Sequence, residues 1–364
     1  MRRAIELAAR GEGYVEPNPM VGAVLVTDDL RLISEGYHQE FGQAHAEVAA
    51  LDGVESVPGD ALLFVTLEPC NHTGKTPPCC DAILNAGIRT VVIGSPDPAP
   101  HTSEQGIQRL RDAGVDVEVG LLQSDTDALI APFRKRITTG KPWVIAKWAM
   151  TLDGKIASRT GHSQWISSPE SREIVHQVRA RVDAIVVGRG TVEADDPLLN
   201  ARPAGARVAT RVVLDRQCQL SPQSSLALTA HDFATLLFCS ESADAARVGA
   251  LKATGIEIAR TDPGNIGKVL AELGSRGCTN ILAEGGSEVL GSFFDAGEID
   301  EVHVFVAPKL VGGMAALSPF GGHGLASIPE RLSLVGGYSS RPVGSDLYVT
   351  GRLRSAVESA EAGS

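Results

Sequence analysis

Apolar positions along this chain change period several times, and each change marks an element. Residues 61–67, Ala-Leu-Leu-Phe-Val-Thr-Leu, form a short continuous apolar run that predicts a buried strand, stopped by Pro69. His45 and Glu47 begin a helical segment continued by Val48, Ala49, Ala50 and Leu51 and closed by Gly53, and Cys79 and Cys80 open another that ends at Gly87. Past residue 142 short apolar runs recur at 143–147, 184–187, 211–214, 235–239, 280–283 and 302–306, with helical patterns between them. Strand and helix in alternation predict an α/β sheet, largely parallel, with ligands at the strand C-terminal ends. Ser168 before Pro169 predicts a helix start, with serine as N-cap and proline at the first helical position. Residues 218–275 say least about function.

At 364 residues the chain exceeds a comfortable single core, so two domains are expected. The basic, glycine-containing stretch 134–142 separates two apolar-periodic regions and has linker character. This sets expected domains at 1–141 and 142–354, followed by a small, acidic, frayed tail at 355–364.

Charge narrows the partners. A net charge of −11 argues against a nucleic-acid substrate, because phosphate backbones are held by basic surfaces. No apolar run is long enough for a membrane span, and the start Met1-Arg2-Arg3-Ala4-Ile5-Glu6-Leu7 is too charged for a secretory signal. Cysteines placed as ligands and core fit a reducing compartment, so the expected address is the cytoplasm, and the expected assembly is a homo-oligomer, a dimer or larger.

The candidate chemistry lies in His45-Ala46-Glu47, then Pro69-Cys70, then Cys79. Catalytic zinc sites use three protein ligands and leave one position open, and a glutamate two residues past the histidine is a ready general base. The H-x-E…P-C order is a signature of zinc-dependent base deaminases, except that eight residues rather than two separate these cysteines. The insert 71–78 is polar and turn-rich, and reads as a loop able to reach over a substrate. Cys80 adjoins Cys79 and competes for the ligand role; two adjacent side chains do not easily enter one tetrahedron, and Cys79 is favoured. Cys218, Cys239 and Cys278 sit in apolar stretches and read as core.

In the second half, Gly188-Arg189-Gly190-Thr191 lacks the third glycine of a dinucleotide fingerprint. Glu284-Gly285-Gly286-Ser287 leaves a strand and enters a helix. That turn either presents N–H groups to a phosphate or is simply tight. Gly286 and Gly291 have P-loop spacing, yet Ser292 stands where that motif needs lysine, which removes a nucleoside-triphosphatase reading.

These motifs in order resemble the bifunctional riboflavin-biosynthesis deaminase-reductase family. In the first half they are Pro17-Asn18-Pro19-Met20-Val21-Gly22, Glu35-Gly36-Tyr37-His38, His45-Ala46-Glu47, Thr66-Leu67-Glu68-Pro69-Cys70-Asn71-His72 and Pro77-Pro78-Cys79. In the second they are Lys147-Trp148-Ala149-Met150-Thr151-Leu152-Asp153-Gly154, Ser163-Gln164-Trp165-Ile166, Thr191-Val192-Glu193-Ala194-Asp195-Asp196-Pro197 and Glu284-Gly285-Gly286. The resemblance covers residues 1 to about 354. It implies an α/β chain with an N-terminal cytidine-deaminase-like three-layer domain and a C-terminal dihydrofolate-reductase-like α/β domain.

It also implies zinc on His45, Cys70 and Cys79, with Glu47 moving protons, in deamination of 2,5-diamino-6-(5-phosphoribosylamino)pyrimidin-4-one. Asn18, His38, His72, Lys75 and Asp97 match the family's substrate contacts, although Ala99 stands where the family often shows asparagine. NADPH would then reduce the ribose of the deaminated ribotide to a ribityl chain. Ala149, Trp165, Thr191, Asp195 and the segment Gly286, Ser287, Glu288, Val289, Leu290, Gly291 and Ser292 match cofactor positions, with Asp195 near the chemistry. Ser163, Arg179, Leu199, Arg202 and Glu284 match substrate positions, where two arginines suit a phosphate. A base editor acting on polynucleotide, disfavoured by the acidic balance, and a scaffold with a closed structural zinc are the rival readings.

Overall fold

The computed structural model describes residues 1–73, 77–99, 103–328 and 334–353. It divides into two compact units, Met1–Gly140 and Lys141–Ser364. Lys75 and the tail from residue 355 lie outside the described residues.

The first unit runs α1 (Arg2–Ala8), β1 (Gly22–Val26), β2 (Leu32–Tyr37), α2 (Ala46–Leu51), β3 (Leu62–Leu67), α3 (Cys79–Asn85), β4 (Thr90–Ser95), α4 (Gln105–Asp112), β5 (Asp116–Val119), α5 (Gln123–Leu129) and α6 (Ala131–Thr139). Its five strands order as β2-β1-β3-β4-β5, with β1 antiparallel to both neighbours and β3, β4 and β5 parallel. Strand β3 is apolar on both sides because both faces are covered. Leu63 and Val65 join the core beneath α2, α3 and α4, whereas Leu62 and Phe64 pack toward Ala4 and Leu7 of α1. The result is a three-layer α/β/α unit.

The expected linker at 134–142 is mostly helix. Pro132 in the first turn and Gly140 in the left-handed conformation at the C-terminus bound α6, so the basic residues ride on a helix surface and only 140–142 connects the units.

The second unit runs β6 (Trp143–Thr151), α7 (Pro169–Arg179), β7 (Ala184–Gly188), α8 (Arg189–Asp195), β8 (Thr210–Leu214), α9 (Ser225–Leu228), β9 (Thr235–Phe238), α10 (Ala245–Lys252), β10 (Glu257–Ala259), α11 (Ile266–Ser275), β11 (Asn280–Gly285), α12 (Ser287–Asp295), β12 (Glu301–Ala307), β13 (Leu334–Val343) and β14 (Asp346–Leu353). The strands order as β10-β9-β8-β7-β11-β6-β12-β14-β13. All pairs from β10 to β12 are parallel, and the last two strands form an antiparallel hairpin on the β12 edge. One face of the sheet packs on α11 and α12 through Val269, Leu270 and Phe293. The other receives Val175 of α7 against Phe305 and Tyr348. Helix α7 starts as expected, with the Ser168 hydroxyl accepting from the Ser171 N–H, and it is pinned by Asp346, whose carboxylate accepts from the Ser168 N–H at 2.7 Å and the Ser171 hydroxyl at 2.6 Å.

Candidate active sites

Three elements of the first unit deliver one donor atom each to a single point. His45 is the residue before α2, Cys70 follows the end of β3, and Cys79 is the first residue of α3. Their Nδ1 and two Sγ atoms lie within 4.8 Å of one another, with His45 Nδ1 at 3.2 Å from Cys79 Sγ and 3.6 Å from Cys70 Sγ. A tetrahedral zinc ion with Zn–S of about 2.3 Å and Zn–N of about 2.0 Å spaces such atoms by about 3.5 to 3.8 Å. The donor set therefore fits zinc. Cys80 points elsewhere, its thiol toward the carbonyl oxygens of Pro69 and Gly106 in the core, so it is Cys79 that stands grouped with His45 and Cys70.

Electrostatics agree with the geometry. The Cys70 thiol is pulled down to about 4, first by its hydrogen bond with Cys79 and against the effect of burial, while the shared proton and burial push Cys79 up. The Cys79 backbone N–H also points at Cys70 Sγ, at 3.3 Å. Glu47 is 3% exposed, and burial pushes its carboxyl up to about 7. A carboxyl beside a metal position that gains and loses a proton near neutrality suits proton transfer.

His38 is buried with both ring nitrogens engaged, Nδ1 at 3.0 Å from the Ala44 carbonyl oxygen and Nε2 at 3.2 Å from Asn18 Nδ2. That pattern makes Nδ1 the protonated nitrogen and aligns the Asn18 carboxamide, so His38 reaches a substrate through Asn18. Burial lowers its pKa. His72 is exposed. Asp97 lies on a loop held by Glu68, which the sequence reading left without a role: the buried Glu68 carboxylate accepts from the backbone N–H groups of Asp97, Glu104, Gly106 and Ile107 at 3.0, 3.0, 2.9 and 3.3 Å. Arg109, also unread, donates to the Asn71 side chain and pairs with Asp81.

In the second unit a cleft of about 1070 Å³ opens at the C-terminal ends of β6, β11, β7 and β8. Every cofactor and substrate residue expected in this unit lines it except Gly291. Gly291 is required for packing: a Cβ there would lie 2.4 Å from the Gly321 carbonyl oxygen. Gly285 has a φ of +98°, a left-handed conformation that favours glycine, and the Gly286 N–H donates to Thr191 Oγ1 at 2.7 Å. The free donors of this turn are therefore the N–H groups of the first turn of α12, not that of Gly286. Asp195 accepts from Ser163 Oγ at 2.8 Å and Gln164 Nε2 at 3.3 Å on the cleft wall.

Arg179 does not offer its fork to a ligand. Its Nε and Nη2 lie 2.5 and 2.7 Å from the Glu284 carboxylate, and Nη1 donates to the Asn200 carbonyl at 3.3 Å. Arg179 outweighs burial to hold Glu284 below the usual carboxylate range. Lys147 and His176 also line the cleft; Lys147 was read only as part of a motif, and neither was assigned a role. Burial lowers the Lys147 pKa against the opposing pull of Glu284.

A three-layer unit that converges an imidazole, two thiols and a buried carboxyl has the make-up of a zinc deaminase; the second unit adds a largely parallel sheet with a cleft large enough for a nucleotide. Residues 1–95 match the cytidine and deoxycytidylate deaminase zinc-binding region, and residues 142–346 match the RibD C-terminal domain. The riboflavin biosynthesis protein RibD of Actinobacillus pleuropneumoniae is 40% identical over 338 residues, covering 92% of this chain and 89% of the relative. That of Escherichia coli is 36% identical over 348 residues, covering 92% of each. A crystal structure of a diaminohydroxyphosphoribosylaminopyrimidine deaminase/5-amino-6-(5-phosphoribosylamino)uracil reductase from Thermotoga maritima superposes with a TM-score of 0.84 at 38% identity, covering 97% of both chains. Acinetobacter baumannii RibD gives 0.82 at 32% identity and the same coverage. The chain belongs to the bifunctional riboflavin-biosynthesis deaminase/reductase family, RibD.

Proposed function

We infer that this enzyme carries out two consecutive reactions on a pyrimidine ribotide: deamination of 2,5-diamino-6-(5-phosphoribosylamino)pyrimidin-4-one in the first unit, then NADPH-dependent reduction of 5-amino-6-(5-phosphoribosylamino)uracil in the second. The observation that carries the reading is the convergence of His45 Nδ1, Cys70 Sγ and Cys79 Sγ beside the buried Glu47.

Zinc on those three donors would supply the Lewis acidity that makes water nucleophilic near neutral pH. The Glu47 carboxylate takes the proton released as water adds to the ring carbon bearing the 2-amino group. It returns that proton to the adjacent ring nitrogen and passes a second to the departing ammonia. Asn18, aligned by His38, and Asp97, on the loop held by Glu68, orient the ring.

NADPH would supply the hydride for C1′ of the ribose. The first N–H groups of helix α12 would hold the cofactor pyrophosphate, and Trp165, Ala149 and Thr191 line the same cleft. Asp195 is oriented by Ser163 and Gln164, and Arg179 keeps Glu284 ionised, so two carboxylates of fixed geometry face the reacting ribose. Small-molecule chemistry of this kind needs no membrane, and among the described residues no helix is long and apolar enough to cross one. We further propose the cytoplasm as its address and a homo-oligomer as its assembly.

The test is a coupled assay on the diamino ribotide that follows ammonia and NADPH together. One ammonia released per NADPH oxidised supports the reading. NADPH oxidation without ammonia contradicts it.

A further inference from the structure

We propose that Lys309 is a positioning residue of the reductase, whose ammonium fixes the loop that presents Ser163, Gln164 and Trp165 to Asp195 and the cofactor. The proposal rests on the reductase reading above. Lys309 lies two residues past β12 and does not line the cleft, so any effect it has on the reaction passes through what it touches.

It touches two consecutive backbone carbonyls. Lys309 Nζ donates to the Trp165 oxygen at 2.7 Å and to the Ile166 oxygen at 2.8 Å. An ammonium carries several rotatable donors on a flexible stem, which lets one side chain satisfy neighbouring acceptors in a stretch that is neither helix nor strand. From those carbonyls the contacts lead to the chemistry. Gln164 Nε2 and Ser163 Oγ, one and two residues before Trp165, both donate to Asp195 Oδ1, at 3.3 and 2.8 Å. Two donors on one oxygen fix the rotation of the carboxylate, and Asp195 Oδ2 has no hydrogen bond among the described residues. The Trp165 ring itself is gripped by Arg172, whose guanidinium lies 4.5 Å from its centroid.

The segment that carries Lys309 is itself anchored. The Val311 and Gly312 N–H groups donate to the Asp153 carboxylate at 3.2 and 2.7 Å, the Ile156 N–H donates to the Leu317 carbonyl at 2.9 Å, and the Gly321 N–H donates to the Ser287 carbonyl at 2.9 Å in the first turn of α12. Residues 308–321 therefore run from the start of the 152–167 loop to the helix assigned to the pyrophosphate. Both ends of that loop are tied without the Lys309 side chain, one by the Ile156 bond and the other by the Ser168 N–H on Asp346 at 2.7 Å. Loss of the ammonium thus loosens the middle of the loop, where Asp195 and the cofactor are met, and not its attachment.

The test uses the full-length enzyme and Lys309→Met, which keeps an apolar stem and removes the donors. With 5-amino-6-(5-phosphoribosylamino)uracil and NADPH, kcat should fall roughly tenfold or more, because small misplacements around a reacting centre cost that much. Ammonia release from the diamino ribotide should stay at the wild-type rate. The ammonium is exposed, so the melting temperature of the reductase unit should shift by no more than about 2–4 °C. Iodide quenching of tryptophan fluorescence should rise, Trp165 being the most exposed of the three tryptophans. Lys309→Arg, which keeps paired donors, should recover most of the rate. Combined with Ser163→Ala, Lys309→Met should cost less than the sum of the two separate losses, because each releases Asp195.

A wild-type kcat in Lys309→Met would overturn the assignment, as would strictly additive losses in the double variant or a Lys309→Arg enzyme no faster than Lys309→Met. A melting temperature that falls in step with kcat would reduce Lys309 to a structural role and overturn it too. Failure of the wild type to oxidise NADPH with the ribotide would instead overturn the reductase reading, and this assignment with it.

Discussion

Arg179 and Glu284 face each other as a two-point ion pair, 2.5 and 2.7 Å across, with side chains 13% and 8% exposed. Removing one partner strands the other charge, which costs about 3–5 kcal/mol in buried pairs. Arg179→Ala should therefore unfold the reductase unit at lower temperature and abolish NADPH oxidation, measured by calorimetry and by absorbance. Glu284 has its pKa depressed from 4.5, so its contribution to stability is full above that value and is lost as pH falls through the lower folded-state value. Acid titration should show wild type losing this increment below pH 4.5 and Glu284→Gln lacking it. Equal acid sensitivity in both proteins would contradict the pairing.

Adjacent cysteines should separate by function. Cys79→Ala should lose bound zinc and all deamination, read by metal analysis and ammonia release. Cys80→Ala should keep both and cost only the small cavity of a buried thiol, about 1–2 kcal/mol. Zinc loss in the Cys80 variant would assign the third ligand wrongly.

Glu68 gathers four backbone N–H groups with one carboxylate, and Glu68→Ala would take that acceptor from all of them, including the buried N–H groups of Gly106 and Ile107. The expected cost is about 3 kcal/mol or more in chemical denaturation of the deaminase unit, with a raised KM in deamination because Asp97 is released. A variant as stable as wild type would show that water replaces the carboxylate without loss.

Gly291→Ala forces a methyl group against the Gly321 carbonyl. Overpacking of this kind costs about 1–3 kcal/mol, and displacement of the start of α12 should weaken NADPH binding measured by fluorescence. Unchanged NADPH affinity would contradict the role given to that helix.

What was legible in the sequence was the chemistry that depends on residue type at fixed spacing. His45, Glu47, Cys70 and Cys79 were placed on helix starts and a strand end, and β3, β6, β7, β8, β9, β11 and β12 announced themselves by continuous apolar runs buried on both faces. Less legible were features set by tertiary partners. The basic face of α6 looks like a linker because a surface helix shares its composition. Strand β13, with Gly336, Gly337, Ser339 and Ser340 on a sheet edge, lacks the apolar pattern that marks a strand. Glu68 reads as a motif residue, but its four donors come from residues 29 or more positions downstream, which no local spacing reveals. Arg179 looks like a free cation until Glu284, 105 residues away, closes on it.

The central claim, a zinc-site carboxyl doing proton transfer in one unit while the other reduces independently, is tested most directly by Glu47→Ala. Given the diamino ribotide with NADPH, the variant should retain stoichiometric zinc yet release no ammonia and oxidise no cofactor. Given the deaminated ribotide, it should oxidise NADPH at the wild-type rate. Persistent ammonia release, or loss of both reactions together, would contradict the account.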